Sequence, residues 1–182
     1  MLTSQINFNN FKIKKKNTKV KKALNSLINN RNEVIKSLGK DYKDSYSKNL
    51  IKRYKKTSNI RIIGMGGSSL GAQSIYDFLN HKIKKKFYFI NNLQNYKIKN
   101  LRKKFTNLVI SKSGNTIETI VNSNVLIKKD DNNIFITENK INYIYLLAKK
   151  LKAEIVHHNN YIGGRYSVLS EVGMLPAELM GL

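Results

Sequence analysis

The chain has 182 residues, 41% of them hydrophobic and 9% aromatic, which suits one domain with a real core and room for a helical appendage. It carries 34 Lys+Arg against 11 Asp+Glu, a net charge of +23, and no cysteine, so disulfides, thiol chemistry and cysteine-based metal sites are excluded. The opening MLTSQINFNNFKIKKK lacks the apolar centre of a secretory signal and no run is long enough to span a bilayer, so a cytoplasmic protein with no membrane contact is expected.

Residues 1–58 read as a polar, helical segment. Val20, Leu24, Leu27 and Ile28 fall at helical spacing, and Val34 and Leu38 sit four apart. The segment is too lightly apolar to fold alone. No Pro/Gly/Ser linker separates it from residues 59–182, where the pattern changes.

From Ile60 onward short apolar runs alternate with helical periodicity. IRIIGMG predicts a strand and SLGAQSIYDFLN a helix with Ala72, Ile75 and Leu79 on one face. KFYFIN (86–91) predicts the next strand, followed by a lysine-rich helix near 95–104. NLVIS (107–111) predicts a strand and NTIETIVNSNVLI (115–127) a helix, in which Ile117, Val121 and Val125 recur every fourth position. NNIFIT (132–137) is a further strand, Ile144, Leu147, Ala148 and Leu151 mark another helix, and AEIVHH (153–158) closes the series. Five such strands alternating with helices predict an α/β fold, a doubly wound, mostly parallel five-stranded sheet. The strands are nearly all apolar, as expected where helices cover both faces.

In such a sheet, ligands bind beyond the carboxyl ends of the strands, so strand-to-helix junctions are where function is sought. The first junction is GMGGSSLG, residues 64–71. Gly66 and Gly67 let the backbone turn sharply and leave N–H groups bare near a helix N-terminus, where the dipole favours an anion. Ser68 and Ser69 add hydroxyl donors. The spacing is neither a Walker A loop nor a dinucleotide fingerprint. Two readings fit: an anion cradle, or a tight turn with serine caps.

The second junction is SKSGNTIET, residues 111–119. Ser111, Ser113 and Thr116 offer hydroxyls, Gly114 relaxes the turn, and Asn115 with Glu118 can form a variant capping box. Hydroxyls and backbone amides at a helix start suit a phosphate monoester dianion held without a metal. A well-capped helix behind a polar loop is the alternative. The third segment is YIGGRYSVLSEVGMLP, residues 161–176. Gly163 and Gly164 bend the chain and present Arg165, which can stabilise a developing oxyanion, clamp an anion, or pair with a structural acid.

GMGGSSLG, SKSGNTIET and GGRYSVLSEVG, in this order, resemble the phosphoglucose isomerase family over roughly residues 60–182. The resemblance implies that residues 59–182 are the first of two sugar-isomerase (SIS) domains, with the second absent from this sequence. It implies a hydroxyl cradle for the sugar phosphate made by Ser68, Ser111, Ser113 and Thr116, with the backbone at Gly67 and Lys112, and a catalytic Arg165 that stabilises the enediolate. It implies reversible aldose–ketose isomerisation of glucose 6-phosphate and fructose 6-phosphate, in glycolysis and gluconeogenesis, with no metal and no redox cofactor. The expected partner is a hexose 6-phosphate, with a homodimer in the complete protein. The family's base, a glutamate, and its ring-opening histidine and lysine lie downstream and match nothing here, so the isolated chain is expected to be inactive. A sugar-phosphate-binding module without turnover is the alternative.

The remaining acids and histidines read as less direct participants. Glu118 reads as a capping or supporting residue, and Glu171 as a partner of Arg165 or a solvent-facing acid. His81 reads as exposed. His157 and His158 end a strand, so at most one can face a ligand. The lysine clusters at 14–16 and 84–86 are short and scattered, with no single dense patch, so nucleic acid is not an expected partner.

Overall fold

A computed structural model of the chain describes residues 17–30, 32–93, 104–128 and 130–182. The chain divides into two compact units, one ending at Tyr42 and the other running Lys43–Leu182. The first holds α1 (Thr18–Asn29) and α2 (Glu33–Ser37). Asn17 caps α1, its side-chain oxygen accepting from the N–H groups of Lys19 and Val20, and Asn32 caps α2 through Ile35 N–H at 3.0 Å. The apolar residues that predict these helices, Val20, Leu24, Leu27, Ile28, Val34 and Leu38, are all exposed. The helical prelude expected to reach residue 58 is thus shared, because α3 (Lys48–Tyr54) belongs to the second unit.

The second unit is built on five parallel strands: β1 (Asn59–Gly64), β2 (Lys86–Ile90), β3 (Thr106–Ile110), β4 (Asn132–Glu138) and β5 (Glu154–His158). Their order across the sheet is β2-β1-β3-β4-β5. The helices are α4 (Gly67–Leu79), α5 (Ile117–Leu126), α6 (Tyr143–Lys150) and α7 (Glu171–Met180), with short 3-10 segments at Asn80–Lys82 and Gly164–Leu169. The doubly wound parallel sheet read from the sequence is therefore present. The lysine-rich helix expected near 95–104 lies outside the described residues but for Lys104. Among the described residues no helix is long and apolar enough to cross a membrane.

Strand order dictates which helix covers which face. Crossovers between parallel strands are right-handed, so a step from β1 to β2 and steps from β3 onward, taken in opposite directions, put their helices on opposite faces. The packing agrees. One core cluster joins Ile60, Ile62, Leu108, Ile110, Ile134 and Ile136 to Ala72 of α4, Leu50 and Tyr54 of α3, and Val172, Leu175 and Leu179 of α7. The other joins Ile63, Val109 and Phe135 to Leu126 of α5 and Ile144 and Ala148 of α6. Each isoleucine sealed in these layers contributes roughly 1.5–3 kcal/mol relative to an exposed one.

The second face has a polar end. Arg61, in β1, is buried there and donates to Asn107 Oδ1 at 3.1 Å and to the Leu126 carbonyl at 2.8 Å. Its guanidinium lies 4.0 Å from the centre of the Phe105 ring. Asn107 passes the network to Asp131 and Asn133. Burial pushes the Arg61 guanidinium below its usual range and the charge of Asp131 pulls it back up. Arg61 also satisfies a carbonyl at the C-terminus of α5, where a cation is favoured.

The stripe that signals α5 in the sequence faces outward. Ile117, Val121 and Val125 are 68%, 41% and 58% exposed. The inward face is Leu126 with the small or polar Thr119, Asn122 and Ser123, and α5 sits over β1 and β3. Asn122 donates to the Asn92 carbonyl at 3.1 Å.

Arg61→Ala is expected to destabilise the second unit by about 2–4 kcal/mol, because Asn107 and the Leu126 carbonyl lose a charged donor inside the protein. Urea unfolding followed by circular dichroism checks this. Arg53→Ala, at an exposed pair with Glu154, is the contrast and is expected to cost about 1 kcal/mol or less.

Candidate functional site

The strand order reverses between β1 and β3, and the loops that follow these two strands leave the same edge of the sheet. Register pairs Gly64, the last residue of β1, with Ile110, the last of β3. A side chain at Gly64 would come within 2.9 Å of the Ile110 carbonyl oxygen and 3.1 Å of Ser68 Cβ. The Gly-Ser loop therefore folds back onto the base of the Ser-Lys-Ser-Gly loop.

The Gly-Ser loop turns at Gly66, whose φ of +56° is a conformation that L side chains rarely adopt. The Gly66 carbonyl accepts from Ser69 and Leu70 N–H and starts α4, with no side-chain cap. Ser68 lies in the first turn, half-buried, and its hydroxyl makes no hydrogen bond among the described residues. Ser69 is buried instead, its hydroxyl directed to the Gly66 carbonyl. Only Ser68 of the pair is thus available to a ligand.

In the second loop, Ser111 is buried and its hydroxyl accepts from Gly114 N–H at 3.1 Å and lies 3.2 Å from the Thr116 hydroxyl. Ser113 is exposed, and its hydroxyl accepts from Asn115 N–H at 3.3 Å. Gly114 has φ +69°, and a Cβ there would overlap the Asn142 side chain. Asn142 in turn caps α6 through Tyr145 N–H and donates to Thr137 and to the Lys140 carbonyl. The capping box expected from Asn115 and Glu118 does not form. Thr116 is the N-cap of α5, no side chain caps that helix, and Asn115 Oδ1 accepts from Tyr143 N–H at 3.3 Å instead. Competition decided this: α6 offers Asn115 a second donor from across the loop. The first amides of α5 are left open beside three hydroxyls.

The third segment closes the group. Arg165 sits in the 3-10 segment Gly164–Leu169, exposed, with no ion pair among the described residues. A Cβ on Gly67 would overlap the Gly164 carbonyl and come within 3.1 Å of Arg165 N. The missing side chain of Gly67 lets the backbones touch. Gly66, Gly67, Leu70, Gly71, Val168 and Arg165 then line a cavity of about 780 Å³ along α4.

Two polar staples hold this segment, and the sequence disclosed neither. Lys112 Nζ donates to the carbonyls of Asn160 and Ile162 at 2.7 and 2.8 Å and lies 3.7 Å from Glu138. Its ammonium thus ties the second loop to the stretch leading into Gly163. Glu171, the first residue of α7, is 0% exposed. Its Oε1 accepts from His158 Nδ1 at 2.6 Å and from Asn159 N–H at 3.1 Å. The carboxylate that follows the Arg165 segment is bonded to the two residues that precede it. Glu171 therefore neither pairs with Arg165 nor faces solvent, as the sequence reading expected; the fold pulls it into the layer between β5 and α7. His158 points inward, its Nε2 buried without a partner among the described residues, while His157 and His81 are exposed. Among the described residues no group of three or more His, Asp or Glu could hold a metal ion.

The geometry brings Gly67, Ser68, Ser111, Ser113 and Thr116 to one edge of the sheet, with Arg165 against Gly67. It turns the Lys112 side chain away to a structural task. Residues 14–181 match the family model described as phosphoglucose isomerase. A glucose-6-phosphate isomerase of Methanocaldococcus jannaschii is 37% identical over 75% of this chain and 37% of its own length. One of Acholeplasma laidlawii is 34% identical over 73% of this chain and 36% of its own. The chain thus spans little more than a third of these relatives. Among solved structures, the sugar isomerase domain of an RpiR transcription factor from Sphaerobacter thermophilus superposes with a TM-score of 0.56 at 13% identity, covering 91% of this chain and 89% of that one, which shows a shared fold.

Gly67→Ala is expected to cost about 1–3 kcal/mol, because its methyl group meets backbone that cannot rotate away. Glu171→Ala strands a buried imidazole N–H and an amide and is expected to cost about 3 kcal/mol, whereas Glu171→Gln keeps an acceptor and costs less. Thermal melts of the three variants check both statements.

Proposed function

The chain belongs to the phosphoglucose isomerase family, and from that premise we propose that it carries the phosphate-binding half and one catalytic arginine of a glucose-6-phosphate isomerase. The observation that carries the reading is the uncapped first turn of α5, whose open amides stand beside the hydroxyls of Ser111, Ser113 and Thr116, one strand over from the hydroxyl of Ser68. A phosphate dianion completes such a site. Its oxygens take the amides that no side chain caps, and the helix dipole adds to the attraction.

In this reading residues 59–182 form the first sugar-isomerase domain. The Gly67 and Lys112 backbones and the four hydroxyls anchor the 6-phosphate, which leaves C1 and C2 of the opened sugar toward Arg165. A carboxylate base moves a proton between these carbons through a cis-enediol. Oxidation at one carbon balances reduction at the other, so the substrate supplies its own electron pair. Arg165 faces the oxygen that becomes anionic. Its attraction grows as charge develops there and so acts on turnover more than on binding. Its exposure and its lack of an acidic partner among the described residues support this role, since a carboxylate already bound to the guanidinium would neutralise it. The base and the ring-opening groups come from residues that this chain does not carry. By itself it binds hexose 6-phosphate without turnover; the complete enzyme works as a homodimer in the cytoplasm.

Isothermal titration of the chain with fructose 6-phosphate is expected to show binding that Ser113→Ala and Thr116→Ala each weaken by about 1.5–3 kcal/mol without moving the melting temperature. Loss of the fold in these variants would instead make the hydroxyls structural. In the complete enzyme, Arg165→Ala is expected to lower kcat far more than it raises KM. An unchanged kcat would leave a sugar-phosphate-binding module as the better description.

A further inference from the structure

At the opposite edge of the sheet, before β2 begins, lies a second cavity of about 780 Å³. Its wall gathers Lys48, Lys52, Lys55, Lys82, Lys84 and Lys85. In the sequence these lysines look scattered, but folding collects them. Lys48, Ile51, Lys52 and Lys55 fall at i, i+3, i+4 and i+7, on one face of α3 and its C-cap. Lys82 ends a 3-10 turn, and Lys84 and Lys85 precede β2. The floor is apolar, made by Ile51 and by Leu179, Met180 and Leu182 at the end of α7.

The charge is not balanced from within. None of the six ammonium groups has an ion pair or hydrogen bond among the described residues. The wall holds one acid, Glu178, whose Oε1 already accepts from the Tyr46 hydroxyl at 2.9 Å. The carbonyl end of α7 adds about half a negative charge. Lys85 is half-buried, and burial together with the charge of Lys55 pushes its ammonium below the usual lysine range. These are cations held together against their own repulsion, around a concave wall that concentrates their field.

We propose that this cavity binds a polyphosphate anion of three or more charges, whose organic part, where it has one, rests on the apolar floor. The volume suits a small molecule, within the roughly 300–1,000 Å³ of ligand pockets. The absence of aromatic residues from its lining argues against a nucleic-acid strand, which needs stacking platforms. A sugar monophosphate carries too little charge to answer six lysines. The site stands apart from the serine loops and does not depend on the isomerase reading.

The test is isothermal titration of the chain with inorganic tripolyphosphate and, in a second arm, ATP. Both are expected to bind and to raise the melting temperature, and ATP binds more tightly if the floor takes the nucleoside. The double variant Lys55→Gln/Lys85→Gln is expected to lose about tenfold or more in affinity, as two charged contacts of at least about 0.7 kcal/mol each would require. Lys149→Gln/Lys150→Gln, which removes the same charge from α6, is expected to leave affinity unchanged within about twofold, after allowance for screening at fixed salt. Ser113→Ala is expected to have no effect, and fructose 6-phosphate not to compete. Equal losses in the two lysine pairs would mean attraction to the overall charge and would overturn the site. So would competition by fructose 6-phosphate, or absence of binding to the unaltered chain.

Discussion

The contact on which the site depends is between two glycine backbones. Gly67, opening α4, lies so close to Gly164 that no side chain fits between them. This approach joins the loop after β1 to the segment that carries Arg165. The register of β1 on β3 joins the same loop to the Ser-Lys-Ser-Gly turn. The third side is closed by Lys112, which reaches from that turn to the Asn160 and Ile162 carbonyls. Three loops far apart along the chain form a closed ring in which each fixes the other two.

Such a ring holds its loops rigidly against one another. Packing supplies most of its rigidity. Gly71 and Gly173 both abut Val168, so the segment after Arg165 is wedged between α4 and α7. Buried polar bonds supply the rest. Glu171 bridges the two ends of the segment through His158 and Asn159, and in this environment its bonds are expensive to lose. Arg165 is left exposed beside two charged groups, Lys112 and Glu171, that are engaged in holding the segment that carries it.

The unequal treatment of charge across the sheet follows from the same shortage of partners. The chain has 34 basic residues for 11 acids, and most lysines among the described residues make no ion pair. Near the carboxyl edge the acids are used structurally: Glu138 meets Lys112 and Lys140, and Glu171 meets His158. Near the amino edge Glu178 is engaged by Tyr46, and six lysines share one cavity. The anionic chemistry available to the two edges therefore differs. One edge offers hydroxyls and amides in a fixed arrangement, whereas the other offers a concentration of ammonium groups.

The alternation of strands and helices was legible along the chain, because each run of isoleucine or phenylalanine covers one strand and short-range backbone preference needs no distant partner. The glycine and serine loops were legible too, since a sharp turn into a helix admits few residue types. Direction was less so: the stripe Ile117, Val121 and Val125 announces a helix and then faces outward, because the surface beneath α5 is shared with Arg61 and Asn107 and accepts Thr119, Asn122 and Ser123. The partners of Lys112, 48 and 50 residues away, and of Glu171, 13 residues away across a loop, came only with the sheet order. So did the meeting of α3 lysines with Lys84 and Lys85. Local sequence determined that elements form and where they turn; the tertiary structure decided which charges and donors meet, because those meetings depend on distances through space that no spacing along the chain encodes.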